Sequence, residues 1–338
     1  MAAFRLVHIS DLHFSDRPNS LNPFVGGLRW SDFALLRNFA FFSPSSFSSA
    51  LATHLTLYLE SVQQGIDALV VTGDVATTGS QGNLKFAREY FFGKPVRTPE
   101  PIYEALRFSS RRDSSLPVLV MPGNHDRFEG TRCLPGGAQF EAVFGDSWDA
   151  DQDVVQYNTK RVKMVVLGKD GEHLGICLAD FSLRRLGDHV GKLGWFGQGK
   201  VYDDILHDLE TLTVSAKREI KNLYVIWAIH FPPVHPVEEV QLQLIDGRLI
   251  GPKAEACGVG VIICGHVHEA RIYRIPTSPK LSVICAGSAT SVEQAAEHAL
   301  FEMELNLSKG ALVAGAATKI SYDSVIDEFR TVSSTQIQ

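Results

Sequence analysis

The chain has 338 residues, 45% of them apolar, and a formal charge of −6 at pH 7. Its apolar fraction supports a sizeable core, and its charge gives no general attraction to a polyanion. Nucleic acid is therefore a poor default partner, and a small soluble molecule fits better.

In chain order, Phe4 to Ser10 reads as a buried strand that releases Asp11-Leu12-His13. Residues 15–50 form a variable insertion, broken by Pro23, Gly26, Gly27 and Pro44, in which Phe33, Leu36, Phe39 and Phe42 have the spacing of a short amphipathic helix. Leu51, Leu55, Leu59 and Val62 predict a helix ending before Gly65. The strand 68–72 opens into Gly73-Asp74, a helix is expected over 81–92, and the strand 116–121 opens into Pro122-Gly123-Asn124-His125-Asp126. Two strands are expected within 154–181 and a long helix over 200–220. The apolar run 223–229 delivers His230, and 260–264 delivers Gly265-His266-Val267-His268. Strand-like pieces over 281–285, 299–305 and 311–320 complete the pattern, and these later strands are expected to form a second sheet.

Alternating strand, polar loop and helix imply a layered α/β fold, because parallel strands covered by helices read as nearly continuous apolar runs. The clusters run from Asp11 to His268, so a domain boundary between them would split the site; one domain over 1–338 is expected. Cys177, Cys264 and Cys285 lie in apolar runs and read as buried small hydrophobes. Trp227 sits inside a strand beside Ile226 and reads as core. A cleaved leader would take the first strand with it, and no apolar run reaches membrane-spanning length, so a cytoplasmic protein without a transmembrane segment is expected.

Asp11, His13, Asp74, Asn124, His230, His266 and His268 make a mixed oxygen and nitrogen donor set suited to first-row metals. Seven donors exceed one tetrahedral site but suit two adjacent ions sharing the Asp74 carboxylate. Ions about 3.5–4 Å apart activate water and clamp the oxygens of a displacement at phosphorus. Single-metal amide hydrolysis leaves donors unused, and there is no His-Glu-x-x-His helix to support it.

The ordered set Asp11-Leu-His13, Gly73-Asp74, Gly123-Asn-His-Asp126, His230 and Gly265-His-Val-His268 resembles the calcineurin-like metallophosphoesterase superfamily over most of the chain. The resemblance implies a four-layer αββα sandwich with two mixed β-sheets and a dinuclear centre at strand-end loops. It implies one metal on Asp11, His13, Asp74 and His268 and another on Asp74, Asn124, His230 and His266, with manganese, iron and zinc, divalent or mixed-valence, all compatible. It makes His125 the histidine beside the leaving-group oxygen and Asp126 its orienting partner or a support to the ligands, an ordinary turn-capping carboxylate being the alternative.

Gly73-Asp-Val-Ala-Thr-Thr-Gly79 and Gly123-Asn-His-Asp126 look most like the bacterial cyclic-nucleotide phosphodiesterase-like branch and unlike the protein serine/threonine phosphatases. His230-Phe231-Pro232-Pro233 departs from that branch's His-His-Pro-Pro. The expected activity is hydrolysis of a small phosphodiester, with Asn124, His125 and Arg127 as candidate substrate contacts; for Arg127, a solvated loop position is the alternative. Competing readings are a phosphomonoesterase, a nuclease, a nucleotide-linked lipid pyrophosphatase, and a non-catalytic interaction scaffold.

Overall fold

The computed structural model describes residues 1–15, 47–93, 108–110, 112–113, 115–127, 139–145, 155–158, 161–182, 199–234, 244–292 and 296–337. Nearly all of the 15–50 insertion, with its expected helix, lies outside the described residues.

The first sheet grows from the parallel strands β1 (Ala2–Ile9), β2 (Ala68–Val71) and β3 (Val118–Val120). Helices α1 (Ser49–Val62), α2 (Gln81–Phe92) and α3 (Gln139–Phe144) accompany it. Ser48 and Ser80 cap the first two, their side chains accepting from Leu51 N and Asn83 N. The chain then forms β4 (Val155–Asn158), β5 (Val162–Lys169), β6 (Glu172–Ala179), β7 (Gly199–Lys200), α4 (Asp203–Glu219), β8 (Leu223–Ile229), β9 (Leu244–Ile245) and α5 (Ile250–Ala256). After these come β10 (Val261–Cys264), β11 (Arg271–Ile275) and β12 (Ser278–Cys285), then β13 (Ala299–Ser308), β14 (Ala311–Asp323) and β15 (Glu328–Gln336).

The six-stranded sheet runs β15-β14-β13-β1-β2-β3 and the seven-stranded sheet β11-β12-β10-β8-β6-β5-β4, with β7 and β9 paired apart. Both are mixed. Strands β2, β8 and β10 are buried at every residue, which is why they read as unbroken apolar runs.

Three apolar clusters set the layering. Leu55, Leu59, Leu84 and Phe140 of the helices pack on Val7, Ile9 and Val71 of the first sheet. Leu6, Val70, Ile176, Ile226 and Ile263 meet between the sheets. Leu206, Leu209 and Ala254 pack on Val225, Trp227 and Ile262 on the far side of the second sheet. Helix, sheet, sheet, helix is the order expected. Trp227 is core, and its Nε1 donates to Thr213 Oγ1 at 2.9 Å, which ties α4 to β8.

Of the later strands, β12 lies in the second sheet as expected, but those that follow it do not. β13 pairs antiparallel with the free side of β1, Arg5 opposite Glu304, and β14 and β15 extend the first sheet. The second sheet is built from the middle of the chain instead. Alternation in 299–308 did signal a strand with one covered face, since Met303, Leu305 and Leu307 are buried between more open Glu302, Glu304 and Asn306. Alternation cannot say which sheet does the covering.

Candidate metal centre

The loops after β1, β2, β3, β8 and β10 bring the five clusters together. His13 Nε2 lies 3.0 Å from His268 Nε2, and Asp11 Oδ1 lies 3.3 Å from His268 Nε2 and 3.9 Å from His13 Nε2. Asp74 Oδ2 lies 3.4 Å from His230 Nε2 and 4.0 Å from His125 Nε2. Asn124 Oδ1 is 2.9 Å from His230 Nε2. Donor atoms lie within 4.8 Å of one another in each of three groups: Asp11, His13 and His268; Asp74, His230 and His266; and His13, Asp74 and His125. The third group joins the other two through His13 and Asp74. Together they form two buried, adjoining donor sets with the chemistry of a dinuclear divalent-metal site.

Five of these residues hold left-handed backbone: Asp11 (φ 55°), His13 (53°), Asp74 (49°), His266 (74°) and His268 (53°). Such angles are costly outside glycine and persist only where the surroundings impose them. Here the imposition is visible. Asp11 N and His13 N donate to Gly73 O (3.1 Å) and Asp74 O (2.9 Å). The carbonyls of Ser10, Asp11 and Leu12 accept from Ala289 N (3.0 Å), Ser288 Oγ (2.6 Å) and Thr290 Oγ1 respectively. His13 O accepts from Thr77 Oγ1 at 2.5 Å.

Sequence reasoning missed Ser288 and Thr290. The run Gly287-Ser288-Ala289-Thr290 resembles an ordinary turn; the available signal was its place directly after the apolar run 281–285, where each donor cluster also sits relative to its own strand.

Two glycines admit the close approach. A Cβ on Gly123 would lie 2.2 Å from Asp74 Oδ1, and one on Gly265 would lie 1.8 Å from Ser10 Oγ and 2.5 Å from Asp11 Oδ2.

The electrostatics suit a cation. Burial opposes charge on Asp74, yet His230 and His125 hold its carboxyl well below the usual range. Burial likewise opposes charge on His230, but Asp74 outweighs it and pushes the imidazole up to about 9. Burial, then neighbouring imidazoles, push His13 and His266 well down, so both present neutral rings. His230 Nδ1 donates to Thr72 O at 2.7 Å, which aims Nε2 at Asn124 and Asp74. Asp11 Oδ1 and His266 Nε2 are buried without a hydrogen-bond partner. A buried polar atom left so is costly, and a metal ion accounts for both. The residues present therefore fit the ions, and their oxygen and imidazole donors suit manganese, iron or zinc.

The remaining expected residues are placed as follows. His125 Nδ1 lies 2.9 Å from Thr77 O, so the main chain orients its ring and Nε2 faces Asp74. Asp126 accepts from Gly123 N (2.9 Å), Ala76 N (2.9 Å) and Val75 N (3.2 Å). It ties the loops after β2 and β3 together. Burial and the charge of Asp74 push Asp126 up to about 7, against the pull of those amides.

Arg127 is 2% exposed and ion-paired with Glu141 and Asp180, each at 2.6 Å. A solvated loop position does not describe it. Phe231 is buried with its ring centroid 4.4 Å from that of His266, so it packs behind the ligands. Cys177, Cys264 and Cys285 are buried free thiols, as expected.

The family described as calcineurin-like phosphoesterase matches residues 4–270. Among solved structures, a dimetal phosphatase from Danio rerio aligns at 13% identity with a TM-score of 0.56, covering 99% of this chain and 98% of its own. A purple acid phosphatase, PPD1, from seeds of yellow lupin (Lupinus luteus) aligns at 12% identity and TM-score 0.57, covering 99% of this chain and 53% of its own. GAP50, the anchor in the inner membrane complex of Plasmodium, aligns at 9% identity and TM-score 0.51, covering 99% and 89%. At these identities the likeness is one of fold. No curated protein matches the chain in sequence.

Proposed function

The chain belongs to the calcineurin-like phosphoesterase family, and from that premise we propose that it hydrolyses phosphate esters at a two-metal centre, small phosphodiesters such as cyclic nucleotides foremost. The observation that carries this reading is the Asp74 carboxylate, placed between the two donor groups with His125 Nε2 beside it at 4.0 Å. Residues 1–338 act as one domain in this reading, since the donors come from both sheets.

Asp11, His13, Asp74 and His268 would hold one ion, and Asp74, Asn124, His230 and His266 the other. Bound metal supplies an activated water and neutralises charge on the phosphoryl oxygens. His125 gives a proton to the departing oxygen. Its Nδ1 hydrogen is committed to Thr77 O, so the delivered proton is carried at Nε2 of the imidazolium. Asn124 adds a neutral oxygen donor beside His230 Nε2, which Thr72 O aims at the same point through Nδ1. Asp126 serves by holding Gly123, Val75 and Ala76 in register.

The diesterase preference, and with it the cyclic-nucleotide branch, rests on Gly73-Asp-Val-Ala-Thr-Thr-Gly79 and Gly123-Asn-His-Asp126. Phe231, where that branch often has histidine, is packed against His266 and is not available to a substrate. The phosphatase names of two structural neighbours favour a second reading, phosphomonoester hydrolysis.

A panel of cyclic nucleotides, bis-(p-nitrophenyl) phosphate, monoesters and single-stranded DNA, run with manganese, iron and zinc, separates these. Diester turnover dependent on metal is the expected result. Exclusive monoester turnover overturns the diesterase preference, and no turnover of any panel member by protein carrying two ions overturns it too, leaving the lipid-pyrophosphatase and scaffold readings.

A further inference from the structure

The turn that carries His125 leaves the first sheet, yet the second sheet holds it on both flanks. On its C-terminal side Arg127 ends the 3₁₀ turn His125–Arg127, with its N–H donating to Asn124 O at 3.2 Å. The Arg127 guanidinium is sandwiched by charge: Nη2 meets Asp180 Oδ2 and Nη1 meets Glu141 Oε2, each at 2.6 Å. Its Cζ also lies 5.4 Å from the Phe140 ring centroid. Asp180 directly follows β6, and its Oδ1 accepts from Ser182 N at 2.9 Å. Ser182 Oγ in turn donates to Pro122 O at 3.2 Å, on the N-terminal flank of the same turn. Arg161 approaches Glu141 at 3.3 Å and Asp180 at 3.6 Å, so the two carboxylates are shared by two guanidinium groups.

We infer that Arg127 and Asp180 are positioning residues: they bracket the Pro122–Arg127 segment against β6 and so set where His125 Nε2 meets the leaving-group oxygen. The inference rests on the hydrolase reading above and assigns Arg127 no contact with phosphate. A planar guanidinium matched to two carboxylates is held in one geometry, and a phosphate would have to displace buried, paired partners to reach it. Two residues separate Arg127 from His125 within a tight turn. Slack at the guanidinium therefore becomes displacement at the imidazole.

The test uses leaving groups. A nitrophenolate departs without a proton, whereas an alkoxide needs one, so a misplaced His125 penalises the two unequally. Arg127→Lys keeps the charge but cannot span both carboxylates, and Asp180→Asn weakens the same bracket more gently. With metal-loaded enzyme, Arg127→Lys is expected to lose about 10²-fold in kcat on esters with alkoxide leaving groups, the size of penalty a small misplacement brings, and Asp180→Asn about 10-fold. The loss on nitrophenyl esters should be several-fold smaller, with KM and the content of two ions unchanged. Ser182→Ala gives a third, milder reading should Arg127→Lys fail to fold.

A raised KM with unchanged kcat would make Arg127 a phosphate contact and overturn the inference. Equal loss on both leaving groups, or loss of metal, would make the bracket merely structural and overturn it too. If the wild-type protein carrying two ions turns over neither ester, the hydrolase reading itself is what has failed.

Discussion

The two sheets contribute different things to one centre. Every oxygen donor, Asp11, Asp74 and Asn124, leaves a strand of the first sheet, together with His13 and His125. The second sheet sends only imidazoles: His230 after β8, and His266 and His268 after β10. It also sends the restraints. Ser288, Ala289 and Thr290, just past β12, hold the carbonyls of Ser10 to Leu12, and Asp180 and Ser182, just past β6, hold the His125 turn. The first sheet thus supplies every carboxylate, and the second adds further imidazoles and rigidity. The centre exists only when the apolar layer of Leu6, Val70, Ile226 and Ile263 brings the sheets face to face. Metal affinity and sheet packing are consequently one equilibrium.

The largest break in that arrangement is Asp74→Asn, which removes the carboxylate proposed to be shared by the two ions. We expect a loss of at least about 10³-fold in kcat/KM, since several kcal/mol of charge stabilisation goes with the metals. Elemental analysis should show fewer than two ions per chain. Because ions bind the folded state across both sheets, chelation should lower the melting temperature of the wild type. Free ion at 1,000 times its dissociation constant is worth about 4 kcal/mol of stability. The variant should respond far less to chelation. Two tightly held ions and undiminished turnover in Asp74→Asn would refute the shared-carboxylate arrangement.

His125→Ala removes chemistry and leaves the ligands. It should cost about 10²–10⁴-fold in kcat, the usual contribution of a positioned acid, with both ions retained. Read beside Asp74→Asn, it separates holding metal from moving a proton. Loss of metal in His125→Ala would instead promote His125 to a ligand, through the group it forms with His13 and Asp74.

These two residues were legible in the sequence because each sits in a short motif released by a strand buried on both faces, such as Ala68–Val71. The strands at the sheet margins were less so. β15 exposes nearly every residue, so no burial pattern marks it, and β13 announced one covered face without naming the sheet behind it. The burial of Arg127 was hidden for a related reason. It directly follows the motif, and only Glu141 and Asp180, 14 and 53 residues away, reveal that its guanidinium turns inward.

Ser288 and Thr290 test whether restraint from the second sheet matters to the first. Their hydroxyls bond main-chain carbonyls, so Ser288→Ala and Thr290→Val remove hydrogen bonds while leaving every ligand atom in the sequence. Residues that orient ligands typically contribute 10–100-fold to metal affinity, and an effect of about that size is expected. It should fall on the ion held by Asp11, His13 and His268, giving protein that loses one ion readily and keeps the other. Equal weakening of both ions would mean that the left-handed Asp11–His13 loop is not separately restrained.

The smallest effect lies one layer behind the ligands, at His8, and reads out as stability. His8 is fully buried on β1 with Nε2 2.9 Å from Thr72 Oγ1, and burial pushes its imidazole down from 6.5 to about 3. In the folded protein it stays neutral, while the unfolded chain takes up a proton once the pH falls below 6.5. Acid therefore favours unfolding: the contribution is complete above pH 6.5 and is lost progressively as pH falls from there towards 3. The slope is about 1.4 kcal/mol per pH unit for one proton. His13 and His266 share the same sign and Asp126, pushed up by burial, has the opposite one, so a single acid titration mixes several groups. The difference between wild type and His8→Gln isolates one proton. Denaturant melts of metal-free protein at pH 7, 6 and 5 should show the stability of the two converging as the medium becomes more acid. Parallel curves would mean that His8 takes up its proton while still folded, and that the layer behind Thr72 is open to water.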